Sequence, residues 1–162
     1  MTHALIPGSF DPMTLGHLDV VKRAAAQYDR VTVAVMINSA KTYAHTIEER
    51  TEMARLTVAG LANVTVISDG GMLVDLFDRI GATEIVKGVR NEVDRRYEEE
   101  MAAYNLQKNP RAKTRLLAAD DGLRDLSSTA VRTLLAQGKR PEGLLAPAVL
   151  DYLTARGECP ER

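Results

Sequence analysis

Short apolar runs alternate with longer amphipathic segments along the chain. The runs are His3 to Ile6, VTVAVMI from Val31 to Ile37, NVTVI from Asn63 to Ile67, EIVKGVR from Glu84, and TRLLAA from Thr114. A continuous run such as VTVAVMI suits a strand buried on both faces, because neither side of the pleat needs polar residues. Between the runs, Leu18, Val21, Ala24, Ala25 and Tyr28 recur at helical spacing and predict a helix from Leu18 to Tyr28. Thr46 followed by Glu49 forms a capping box for a second helix, ending near Gly60. After the glycine turn at Gly70 and Gly71, MLVDLFDRIG predicts a short helix closed by Gly81, and a charged helix runs from about Glu92 to Lys108, stopped by Pro110. LSSTAVRTLLAQG predicts a loop and a helix closed by Gly138, and PAVLDYLTARG supplies the last helix. Strands alternating with helices predict an α/β protein with a doubly wound, five-stranded parallel sheet covered on both faces.

This pattern puts GSFDPMTLGH, Gly8 to His17, between the first strand and the first helix. Open α/β sheets bind ligands at such strand ends, and a helix N-terminus favours an anion. A second helix start, LSSTAVR from Leu126 to Arg132, is likewise rich in small and hydroxylated residues. Neither G-x-G-x-x-G nor G-x-x-x-x-G-K-[ST] occurs, so dinucleotide-fold and P-loop chemistries are excluded. Taken alone, His17 reads more readily as a helix-end histidine without a ligand than as a functional one.

Composition narrows the class. A length of 162 residues suits one domain, 1–162, and 45% hydrophobic with 27% charged residues describes a soluble globule. A formal net charge of −1 gives no basic excess for nucleic acid. Cys159 is the single cysteine, so no intrachain disulfide forms and a reducing cytoplasm is the expected setting. MTHALIPGSF lacks the basic and apolar regions of a signal peptide, and no apolar run reaches the roughly 18 residues of a membrane span. No histidine, cysteine and carboxylate cluster suggests a dedicated metal cage.

TLGH and LSSTAVR together resemble the T/H-x-G-H and ISSTxxR signatures of the nucleotidylyltransferase superfamily. Within it, PGSFDPMTLGHLD is similar to the opening of the bacterial phosphopantetheine adenylyltransferase branch. The resemblance continues in order through Lys41, TIEER, MLVDL, KGVR at Lys87 to Arg90, Tyr97 with Glu98, and Asn105. Thr14 favours this branch, because relatives acting on other acceptors usually carry histidine there.

The resemblance implies a Rossmann-like fold and AMP transfer from ATP to 4′-phosphopantetheine, giving dephospho-coenzyme A and pyrophosphate. It implies that His17 binds ATP phosphate and stabilises the transition state, with Lys41, Ser9 and Arg90 beside it in the chemistry. Ser9 stands where the family has threonine, a mild exchange of one hydroxyl for another. ATP contacts carry over to Ser9, Phe10, His17, Gly88, Val89, Arg90, Glu98 and the loop Leu123, Arg124, Asp125, Leu126, Ser127, Ser128 and Thr129. Substrate contacts carry over to Ser9, Lys41, Leu73, Lys87 and Asn105. Mg²⁺ is expected on the ATP phosphates, and a homohexamer is implied. Two departures stand out: Lys87 replaces the usual arginine, and Leu123 to Asp125 lack the aromatics that often precede the serines. Transfer to another phosphate acceptor, or an inactive ATP-binding module, remains the alternative.

Overall fold

The computed structural model describes residues 1–162. Five strands form one all-parallel sheet: β1 (His3–Gly8), β2 (Arg30–Met36), β3 (Val64–Asp69), β4 (Glu84–Val89) and β5 (Thr114–Ala118), in the order β3-β2-β1-β4-β5. Six helices, α1 (Leu15–Gln27), α2 (Ile47–Val58), α3 (Leu73–Arg79), α4 (Glu92–Lys108), α5 (Ser128–Ala136) and α6 (Pro147–Ala155), complete the chain. The doubly wound α/β arrangement agrees with the pattern of apolar runs.

Alternate residues of each strand face opposite layers, and the two faces use different side chains. Ala4, Ile6, Val31, Val33, Val35, Val66 and Val86 pack with Val20, Val21 and Ala24 of α1 and Ala54 and Val58 of α2. Leu5, Ala34 and Ile85 point the other way, onto Val74, Leu76 and Phe77 of α3. A third cluster, Met53, Val131, Leu145, Val149, Leu150 and Leu153, joins α2 to α5 and α6 and also buries Cys159. That cysteine follows α6 in a polar stretch, yet it fills a core position rather than facing solvent.

α1 begins three residues earlier than the apolar spacing predicts. Thr14 is its N-cap and His17 its third residue, and the two form a capping box. Two caps therefore start α1 and α2 in the same way, one closed by histidine and the other by Glu49. Sequence alone also gave no sign of the single 3₁₀ turn at Asp121–Leu123. Along the 17 residues of α4 only Asn105 is buried, leaving Val93, Tyr97 and Tyr104 exposed.

Strand order reverses between β1 and β4, the neighbours from which the chain winds outward in opposite directions. A crevice opens at the carboxyl ends of strands flanking such a reversal, because their following loops diverge to opposite faces. This places Gly8, Val89 and Ala118, and the loops they lead into, around one opening.

Candidate functional site

The opening is a cleft of about 410 Å³. Ser9, Phe10, His17, Lys41, Lys87, Gly88, Val89, Arg90, Glu98, Leu123, Leu126, Ser127, Ser128 and Thr129 all line it. Arg124 and Asp125 lie in a shallower depression next to it, shared with Val89, Arg90 and Ala119. Leu73 and Asn105 are not brought to the cleft: Leu73 packs against the α3 cluster and Asn105 is buried on α4.

Three close approaches shape the cleft. Phe10 has φ 49, the left-handed region that costs an L-residue energy. That turn folds its ring over Gly8, where a Cβ would lie 2.7 Å from it, and edge-on to His17, with centroids 5.1 Å apart at 88°. Gly88 lies so near α1 that a Cβ would come within 2.7 Å of Val20 Cγ2. The two signature segments are then tied together, with the Ser128 hydroxyl donating to the Pro12 carbonyl at 2.7 Å.

His17 is fixed in both orientation and tautomer. The Thr14 backbone N–H donates to its Nδ1 at 3.0 Å, and the His17 backbone N–H donates to Thr14 Oγ1 at 3.3 Å. A ring whose Nδ1 accepts carries its proton on Nε2, which is left as a donor. The imidazole keeps an opening to the cleft, but surrounding protein displaces most of its water. Burial, and secondarily the Arg90 charge, pull its pKa from 6.5 down to about 4. The ring is therefore neutral near pH 7, a hydrogen-bond donor rather than a cation.

Cations surround this donor. Lys41 Nζ donates to Ser9 Oγ at 3.3 Å. Lys87 Nζ pairs with Glu98 at 2.7 Å, and Arg90 Nε donates to Asp94 at 3.0 Å. Arg132, within LSSTAVR but given no role from sequence, lines the cleft and donates to the Asp11 carbonyl at 2.9 Å. Asp11, a loop-shaping residue by its sequence position, and Asp94 line the cleft as well. Their carboxylates, like that of Glu98, are already engaged: Asp11 by backbone N–H groups and His45, Asp94 by Arg90. The N-termini of α1 and α5 border the cleft and add the positive ends of two helix dipoles. His3 and His45 are both buried.

Small hydroxyls, two helix starts, a neutral imidazole donor and four cationic side chains meet at the sheet reversal, a set of groups chemically suited to a polyphosphate. Fold and cleft are of the cytidylyltransferase-like class, whose family model matches residues 5–134. A phosphopantetheine adenylyltransferase from Limosilactobacillus fermentum is 42% identical over 98% of this chain and 91% of its own. One from Symbiobacterium thermophilum is 44% identical, over 91% of each chain. The chain belongs to the phosphopantetheine adenylyltransferase family. A solved Vibrio parahaemolyticus structure, named for nicotinate-nucleotide adenylyltransferase, shares the fold at TM-score 0.71 and 18% identity, covering 98% of this chain and 95% of its own.

Proposed function

We infer that the chain transfers the adenylyl group of ATP to 4′-phosphopantetheine, giving dephospho-coenzyme A and pyrophosphate in coenzyme A synthesis. The observation that carries the residue assignment is the convergence of His17, Lys41, Lys87, Arg90 and Arg132 on one cleft between two helix N-termini. Each anion in this reaction needs donors, and these side chains supply them together with the small hydroxyls and the two helix starts.

The nucleophile is a phosphate oxygen of the acceptor, anionic at neutral pH, so no general base is required. It attacks the α-phosphorus of ATP in line, forming a new P–O bond as the bond to pyrophosphate breaks. The work of the protein is to align the two anions and to stabilise charge that grows on the α-phosphate and leaving group. Neutral His17 Nε2–H donates to a developing oxyanion, and the rigid Thr14–His17 cap holds it in place without reorganisation. Lys41, with Ser9 beside it, takes the acceptor phosphate, and Lys87 shares that task as a point charge. Arg90 and the α5 N-terminus with Ser127, Ser128 and Thr129 receive the ATP phosphates. Gly88 and Val89, Phe10 and Glu98 complete the nucleotide side. The adenine rests against Leu123 to Leu126, held by apolar contact and backbone groups. Leu73 and Asn105 are assigned to the far end of the pantetheine arm.

No group of three His, Cys, Asp or Glu is placed to hold a metal ion. The Asp11 and Asp94 carboxylates are occupied by donors of this chain, and Glu98 is ion-paired with Lys87. Mg²⁺ therefore fits as a passenger on the triphosphate, where it supplies charge neutralisation. We also assign residues 1–162 to a single cytoplasmic domain, assembled as a homohexamer in which the exposed face of α4 is a natural contact. No helix is long and apolar enough to cross a membrane.

The test is pyrophosphate release from Mg-ATP with 4′-phosphopantetheine, dephosphorylated pantetheine and nicotinate mononucleotide as competing acceptors. Turnover confined to phosphopantetheine is expected. Equal rates with pantetheine would remove Lys41 and Lys87 from the acceptor phosphate.

A further inference from the structure

Lys41 belongs to a segment without regular structure between β2 and α2, and its one side-chain hydrogen bond is the 3.3 Å contact with Ser9 in the first loop. A catalytic cation on such a segment needs something to set its position. Within the segment, Lys41 N–H donates to the Asn38 carbonyl at 2.9 Å and Asn38 N–H to the Tyr43 hydroxyl at 2.8 Å. The turn therefore leans on residues 43 to 45, and these are gripped from below.

Asp11, in the first loop, is the grip. Its carboxylate accepts the backbone N–H of Ala44 at 2.7 Å and of His45 at 3.1 Å, and His45 Nδ1 lies 2.9 Å from it. Arg50 reinforces the junction, donating to the carbonyls of Ser9 at 2.7 Å and His45 at 3.3 Å and stacking on Tyr43 at 3.8 Å. The other ring nitrogen of His45 lies 2.9 Å from Glu158, in the segment after α6 and 113 residues further along the chain. Arg156 holds Glu158 from behind, donating at 2.9 Å to its second oxygen, and also pairs with Glu49.

A buried polar line of this kind is not favoured over apolar packing by energy alone. Its value lies in geometry: hydrogen bonds fix distances and directions that an apolar contact leaves loose. Here the line joins three separated segments, and its middle member sits four residues from Lys41. We propose that Asp11, His45 and Glu158 form a clasp through which the segment after α6 positions the Lys41 loop against Ser9. All three are positioning residues, since none is placed on substrate. The proposal rests on the assignment of Lys41 to the acceptor phosphate.

The test is a double-mutant cycle in the full chain between Lys41→Ala and Glu158→Ala, with His45→Gln as an independent break in the same line. Glu158 is partly exposed, so its truncation leaves the fold intact; thermal melting checks this. Glu158→Ala and His45→Gln should each lower kcat/KM for phosphopantetheine by about tenfold, with the KM for ATP changed by less than about twofold. In the Lys41→Ala background, Glu158→Ala should add less than about a further twofold, because the group it positions is gone. Full multiplication of the two losses, or a lowered melting temperature with unchanged kinetics, would overturn the clasp. No loss in Lys41→Ala itself would overturn the Lys41 assignment and the clasp with it, an outcome distinguishable from the others by the single variant.

Discussion

Arg90 and Asp94 hold one another through two hydrogen bonds, the Arg90 backbone N–H donating to the Asp94 carboxylate at 3.2 Å and Nε at 3.0 Å. The grip falls on the inner edge of the guanidinium and leaves the terminal nitrogens to meet an anion. Asp94→Asn should therefore weaken ATP handling, with kcat/KM for ATP falling about tenfold while the KM for phosphopantetheine stays nearly level. Steady-state kinetics with each substrate varied in turn checks this. Equal losses for both substrates would mean that Asp94 supports the fold of the loop rather than the arginine.

Removal of His17 addresses the chemical step. A preorganised donor of this type contributes roughly 10²–10³ in kcat, so His17→Ala should lose that much with smaller changes in either KM. A mere helix cap would instead cost about 1 kcal/mol of stability and leave turnover close to normal. Single-turnover rates and the unfolding midpoint, measured on the same variant, separate the two.

The protonation state of His17 makes a prediction about pH. Its pKa is depressed from 6.5 to about 4 by burial and by Arg90. The unfolded chain thus binds a proton at this position that the folded chain refuses. Stability linked to His17 is fully present above pH 6.5 and is lost progressively as pH falls toward 4. In the ATP-free protein, the His17 imidazole resonances should titrate with a midpoint near 4, with the proton on Nε2 at neutral pH. A midpoint near 6.5 would show an imidazole open to water.

Gly88→Ala tests the closeness of α1 to β4. The new methyl would meet Val20 Cγ2 at 2.7 Å, and a β-branched side chain packed in the core has little freedom to yield. A destabilisation of about 1–3 kcal/mol is expected. Gly60→Ala, with nothing within 4 Å of its Cβ, serves as the control and should melt near the parent temperature.

Lys87→Arg should be tolerated. The side chain now reaches Glu98 at 2.7 Å as a single point charge, and an arginine fork can keep that partner while offering donors to phosphate. We expect kcat/KM within about threefold of the parent. A larger loss would show that the β4 loop has been packed around lysine.

Much of this was legible in the order of residues. Buried strands such as VTVAVM announce themselves by uninterrupted apolar side chains, and Thr46 with Glu49 marks a helix start by its own chemistry. His17 was visible as a candidate, but its place within the first turn was not, because a histidine closing a capping box is not the usual glutamate. Arg132 belongs to LSSTAVR, so its signal was present in the sequence. Asp11 and Glu158 carried no such signal. What they do depends on His45 standing between them, and that meeting exists only once segments 34 and 113 residues from it have been folded together.

Ser128 and Pro12 stand 116 residues apart and meet in a single hydrogen bond beside the cleft. A chain emerging from synthesis will have made Ser9, His17, Lys41 and Arg90 long before α5 exists. By then Lys41, Lys87 and Arg90, three of the four cleft cations, are in place, yet the part of the lining from Ala119 to Arg132 is still missing. If this cleft receives ATP as proposed, the nucleotide side is finished only when α5 closes over the first loop, so ATP binding would report that the chain has folded as far as Arg132.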